Sequence, residues 1–187
     1  PLDWEPGVYR AQFLANSEAP TRDSRLSNIN FIVRPAIPGS LSDILFVICD
    51  NTFQAYNNWG GKSTYEYQST DSKRAYIVSM NRPLNQYFTT DYVRYVEPFR
   101  AWLYQQGTQY IPEFAFQYDI ESIPNLFQNY KLVLFVGHDE YWTRNQLNAV
   151  KNYVNQGGTV GIFSGNTSWW QVRYEDNGRT LVSYKSD

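Results

Sequence analysis

Histidine and cysteine occur once each in these 187 residues, and each scarcity excludes a chemistry. A lone Cys49 can form neither an internal disulfide nor a cysteine-built zinc site, and it suits a reducing, cytoplasmic setting. A lone His138 cannot build a two- or three-histidine zinc centre. Charge of one sign is lacking too: 16 Lys and Arg against 18 Asp and Glu leave a formal net charge of -2. With no basic stripe, nucleic acid and anionic membrane are excluded as main partners. No apolar run nears the ~18 residues of a membrane helix, and no secretory leader is read at the start. The Gly-x-Gly-x-x-Gly, Walker A and Gly-x-Ser-x-Gly patterns are missing, which argues against dinucleotide, P-loop and α/β-hydrolase chemistry. Ser164 follows a strand but sits in only half of a nucleophile signature. Cys49 lies inside a strand, where a small buried hydrophobe is its ordinary role.

Aromatic residues are abundant: 16 Tyr, 11 Phe and 6 Trp make up 18%. Most belong to core or interface, but tyrosine is also a potential anionic ligand. The length suits one domain, or one domain plus part of another, and can bury a core without staples.

The central stretch runs from Tyr130 to Trp142. Leu132 to Val136 is an unbroken apolar run, as in a strand buried on both faces of a parallel sheet. Thr143 and Gln146 form a capping box, Leu147, Val150 and Val154 recur at helical spacing, and Gly157-Gly158 stops the helix. His138, Asp139, Glu140, Tyr141 and Trp142 lie between that strand and helix, at the strand's carboxyl end, where open α/β sheets place ligands.

Residues 1–38 read as a β-hairpin or the end of a β-sandwich, with strands at 7–14 and 30–34 around a polar loop at 16–23. Residues 39–187 read as an α/β unit with a doubly wound, mostly parallel sheet of flavodoxin-like kind. Its expected parts are a strand at 43–49, a long polar-aromatic loop at 50–65 and a short strand at 75–78. A helix at 91–106, firm from Glu97, follows, with Phe99, Trp102 and Leu103 inward and Gly107 as its stop. Then come a strand at 113–118, a short helix at 123–128, a buried strand at 159–163 and a strand-like run at 178–184. Both ends look cut from a longer chain. Three loops, 50–65, 138–142 and 164–170, leave the carboxyl ends of buried strands and should meet at one rim.

Three motifs carry a specific likeness. Asn51-Thr52-Phe53-Gln54-Ala55-Tyr56-Asn57-Asn58-Trp59-Gly60-Gly61-Lys62-Ser63-Thr64-Tyr65, Val136-Gly137-His138-Asp139-Glu140-Tyr141-Trp142 and Phe163-Ser164-Gly165-Asn166-Thr167-Ser168-Trp169-Trp170-Gln171-Val172-Arg173 resemble the C-terminal region of the N,N-dimethylformamidase large (beta) subunit and its relatives. The strands at 7–9 and 31–34 resemble the β-rich junction before it. The resemblance implies an amide hydrolase with a mononuclear, ferric iron, on a sheet like that of class I glutamine amidotransferases without their cysteine. By motif, the iron ligands would be Tyr56, Tyr65 and Glu140, with Tyr67 a nearby rival to Tyr65. His138 would assist catalysis. A small amide substrate, a small partner subunit and an oligomeric full-length protein are also implied, and a further acidic residue of the site is expected beyond Asp187.

The chemistry is coherent on its own terms. Phenolate and carboxylate are hard donors suited to ferric iron. A phenol with pKa near 10 needs a nearby cation to ionise at neutral pH. Three protein ligands leave room for water and a carbonyl oxygen, and an imidazole two residues away can move a proton.

Plainer roles stand beside these. Glu140 could cap the helix near Thr143, His138 could be a loop histidine, and Tyr56 and Tyr65 could fill the core edge. Asp139 is read as a hydrogen-bond acceptor, Trp169-Trp170 as packing, and Asn166 as a loop amide satisfying backbone groups. A carbohydrate- or ligand-binding module on the same sheet, without turnover, is the alternative function, and a hydrolase using another metal ion is a third.

Overall fold

The structure is a computed structural model that describes residues 4–13, 27–84 and 91–185. β1 (Gly7–Phe13) and β2 (Ser27–Val33) form an antiparallel hairpin in which Gly7 faces Val33 and Tyr9 faces Phe31. Trp4, Tyr9 and Phe31 pack their rings against one another at 4.8–5.6 Å. The expected loop at 16–23 lies outside the described residues.

Four parallel strands follow: β3 (Ile44–Ile48), β5 (Glu113–Phe116), β6 (Leu132–His138) and β8 (Thr159–Gly165), in the spatial order β5-β3-β6-β8. All five residues of β3 are buried, because alternate side chains enter two different cores. Ile44, Phe46 and Ile48 join Phe114, Leu134 and Val136 beneath Val96 and Leu103. Leu45 and Val47 join Val133, Phe135, Trp142 and Tyr153 on the opposite face. Both faces of the sheet are therefore covered, which is why its central strands are apolar throughout rather than alternating.

Among the described residues, four α-helices accompany them: α1 (Asp50–Tyr56), α2 (Glu97–Gln106), α3 (Asp119–Ser122) and α4 (Arg144–Asn155). Helix α2 continues a π-helical stretch, Tyr92–Val96, and ends at Gly107, whose φ of 130° only glycine adopts without strain. Helix α4 begins with the expected capping box: Thr143 Oγ1 accepts from the Gln146 amide, and Gln146 Oε1 accepts from the Thr143 amide. A second, mixed sheet has the order β4-β10-β9-β7. Its strands are β4 (Ile77–Ser79), β7 (Tyr141–Thr143), β9 (Trp170–Glu175) and β10 (Thr180–Val182). Val78, Tyr141, Val172 and Leu181 of this sheet pack on Ala55 of α1.

Several expectations are corrected. The first seven residues of the supposed 50–65 loop are helix α1. Asn51 and Thr52 are poor helix formers in isolation, yet here they are buried and hydrogen-bonded, so tertiary contacts override propensity. The segment after Pro124 forms a 3₁₀ turn, Leu126–Asn129, while the preceding helical turn is α3, whose Asp119 carboxylate accepts the Phe116 amide at 2.8 Å. Trp102 is 51% exposed, leaving Leu103 as the buried residue of α2. Val154 is exposed as well. β8 is not buried: among the described residues it pairs only with β6, so Ile162 and Phe163 are exposed. β7 and β9 carried no usable strand signal, being respectively three residues long and led by the aromatic pair Trp169-Trp170.

Candidate functional site

The carboxyl ends of β3 and β6 set the site. β6 ends at Gly137-His138, and Gly137 has φ 106°, a turn that an L side chain would strain. The chain then passes Asp139 and Glu140 into β7, which is parallel to β9. Helix α1, leaving β3, projects Tyr56 from its last turn, and the following loop returns to bring Tyr65 alongside. The two tyrosine rings lie 4.2 Å apart, centre to centre.

All three oxygen donors meet at one carboxylate. The Tyr56 hydroxyl donates to Glu140 Oε2 at 2.7 Å, and the Tyr65 hydroxyl reaches both carboxylate oxygens at 3.0 Å. His138 Nε2 lies 3.1 Å from Glu140 Oε2 and 3.4 Å from the Tyr56 hydroxyl. Behind them, the Tyr141 hydroxyl donates to that of Tyr65 at 2.8 Å.

The protonation states follow from this arrangement. Burial penalises phenolate, and the Glu140 carboxylate adds to it, so both Tyr56 and Tyr65 hold their protons well above the usual tyrosine range. Burial also works against the Glu140 charge, but hydrogen bonds from His138, Tyr56 and Tyr65 outweigh it and hold its pKa below the ordinary carboxylate value. The bond to Glu140 raises the His138 pKa against the opposing effect of burial. The cluster is thus a single carboxylate anion wrapped by three proton-bearing groups. A small cation could replace those protons, because oxygens at hydrogen-bond spacing from one another can also share one ion. The donor set, two phenols and a carboxylate, has the hardness that ferric iron prefers. Among the described residues, no three His, Cys, Asp or Glu side chains could hold a metal ion together, so phenols are needed to complete any such set.

Other candidates fall into place around it. Tyr67 is 71% exposed, its ring 5.4 Å from that of Tyr65. Asp139 is fully buried and accepts from Gln117 Nε2 at 3.1 Å, the acceptor role expected of it, and burial pushes its pKa up to about 7. Trp170, the first residue of β9, packs against the core formed by the second sheet and Ala55, while Trp169 is exposed. Asn166, also exposed, accepts the Trp169 amide through its carbonyl in a left-handed turn.

One residue had no sequence signal at all. Lys185, three positions beyond β10 (Thr180–Val182), is buried with its ammonium 3.2 Å from the centre of the Tyr65 ring, and 5.0 Å and 5.4 Å from those of Tyr141 and Trp170. Among the described residues Nζ finds no hydrogen-bond partner. Desolvation brings its pKa down to about 8, while the aromatic faces and Glu140 favour its charge. A solitary lysine after a strand gives no local hint of such a cage.

Fold and site together define a mixed α/β protein with a half-buried cluster of tyrosine and glutamate oxygens at the carboxyl rim of a parallel sheet. The chain belongs to the N,N-dimethylformamidase beta subunit-like family: that family's C-terminal region matches residues 1–187. A comparison with curated proteins found no match.

Proposed function

We propose that this chain carries the core of an iron-dependent amide hydrolase acting on a small N-substituted amide. The observation that carries the reading is the meeting of the Tyr56 and Tyr65 hydroxyls at the Glu140 carboxylate, 2.7–3.0 Å away. The family's name points to the reaction class, and its designation as a beta subunit points to assembly with another subunit. The parallel sheet, covered on both faces, is taken to be of the doubly wound, flavodoxin-like kind that class I glutamine amidotransferases also use.

Tyr56, Tyr65 and Glu140 would hold a mononuclear ferric ion. When bound, the ion supplies Lewis acidity, polarising an amide carbonyl and making water a better nucleophile. The chain's own residues do the rest. Tyr56 and Tyr65 give up their phenolic protons, which the metal-free pocket otherwise retains. Glu140 keeps its charge because His138 and the phenols stabilise it. His138 Nε2 faces the carboxylate; once it has released the proton shared with Glu140, the neutral imidazole would accept a proton from water and return it to the departing amine nitrogen. Tyr141 and Thr64 keep the Tyr65 oxygen in place from behind, through contacts of 2.8 Å and 3.2 Å along one chain of hydroxyls.

Colour tests the proposal. Phenolate bound to ferric iron absorbs visible light, so the purified full-length protein is expected to be coloured and to contain about one iron per site. Tyr56→Phe should lose much of the band, and Glu140→Ala should lose the iron. Unchanged iron content in both variants would end the ligand assignment. A colourless, iron-free wild type would favour a ligand-binding module using the exposed Trp169.

A further inference from the structure

Helix α1 carries Tyr56, but it also touches the other two donors. Thr52 precedes Tyr56 by one helical turn, the spacing that puts two side chains on one face. Its Oγ1 accepts the Glu140 amide hydrogen at 2.9 Å, while Tyr56 binds the carboxylate of the same residue at 2.7 Å. One helix face therefore grips both the backbone and the side chain of Glu140. Asn51 adds a second stitch, donating from Nδ2 to the Tyr141 carbonyl at 3.1 Å.

The far end of the helix holds the third donor. The Ala55 carbonyl has no partner within the helix, as is usual in a last turn. It accepts instead from the Thr64 amide at 2.9 Å and the Thr64 hydroxyl at 3.0 Å. Fixing Thr64 fixes its neighbour Tyr65. The same hydroxyl lies 3.2 Å from that of Tyr141, which in turn donates to Tyr65. Thr52 and Thr64 are both almost fully buried, at 2% and 1% exposure, so neither bond competes with water.

We infer that α1 sets the spacing of the whole oxygen cluster, with Thr52 and Thr64 as positioning residues acting through the Glu140 amide and the Ala55 carbonyl. This rests on the reading of the cluster as an ion site. Tyr56, the nearby Tyr65 and the distant Glu140 are all referred to one helix of about two turns, the kind of support that outer partners give metal ligands.

The test separates hydroxyl from shape. In the full-length protein, Thr52→Val and Thr64→Val keep the volume and remove the oxygen, whereas Thr52→Ser and Thr64→Ser keep the oxygen. Iron retention is measured by competition with a chelator. Amide exchange of the 138–142 segment is measured by mass spectrometry on metal-free protein. Each Val variant is expected to weaken iron retention about 10–100-fold, with the Ser variants near wild type. Thr52→Val should also speed exchange at Glu140 by about tenfold, since one buried hydrogen bond is lost. Val variants that retain iron like the wild type would overturn the inference, as would Ser variants that fail equally. If the wild type binds no iron, the ion-site reading fails separately. Exchange then decides alone: unchanged protection in Thr52→Val rejects the clamp, and faster exchange in that variant with Ser unaffected supports it.

Discussion

Asp50 stands at the junction of β3 and α1, and its Oδ1 accepts the Gln117 amide hydrogen at 2.9 Å. Burial dominates over that bond and pushes its pKa from 3.8 up to about 7. Because the folded value lies above the unfolded one, the folded chain binds this proton more tightly. The resulting stability is full below the unfolded value and is lost as the pH rises through about 7. The melting temperature is therefore expected to fall between pH 5 and pH 8. Asp50→Asn keeps the acceptor oxygen and should flatten that fall, as scanning calorimetry across the range would measure. Asp139 shifts the same way, so the variant should remove only part of the slope. At this scale little was legible beforehand. Glu140 and His138 stood out because a carboxylate and the only imidazole occupy a strand's carboxyl end, whereas Lys185 and Thr52 are ordinary residues until the fold brings partners to them.

Among the elements, α4 was the most legible and α1 the least. Thr143 and Gln146 cap α4 through contacts three residues apart, which local sequence can encode. Thr143 Oγ1 also donates to Glu121, tying the cap to α3. Thr143→Ala should cost about 1–2 kcal/mol, while Thr143→Ser should restore most of it. Urea unfolding with an unchanged slope would measure the difference. Helix α1 has no such code. Its first residue follows Cys49, which offers no capping side chain, and its Asn51 finds partners 66 to 123 positions away, in Gln117, Tyr141 and Tyr174. Its helical state depends on these partners, so local composition pointed to a loop.

For the molecule as a whole, the parallel sheet has one edge that is exposed among the described residues. β8 shows Ile162 and Phe163 to solvent, at 46% and 57% exposure, and its run Thr159–Gly165 contains neither charge nor proline to discourage pairing. The 187-residue chain is expected to self-associate as its concentration rises. Ile162→Lys should suppress this in sedimentation velocity while changing stability by no more than about 0.5 kcal/mol. The central strands were legible for the opposite reason. β3 and β6 are buried on both faces, and two-sided burial demands an apolar residue at nearly every position.

The amino-acid order alone determined the parallel core strands and the capped helix α4, because each is written in contacts or burial patterns spanning a few residues. The grouping of Tyr56, Tyr65, His138 and Glu140 was instead implied by a family resemblance. Only the tertiary structure decided that α1 is a helix, that the Tyr65 hydroxyl meets the Glu140 carboxylate, and that Lys185 lies over the Tyr65 ring. Those outcomes depend on groups brought together from remote positions, whose hydrogen bonds and desolvation exist only once the sheet has formed.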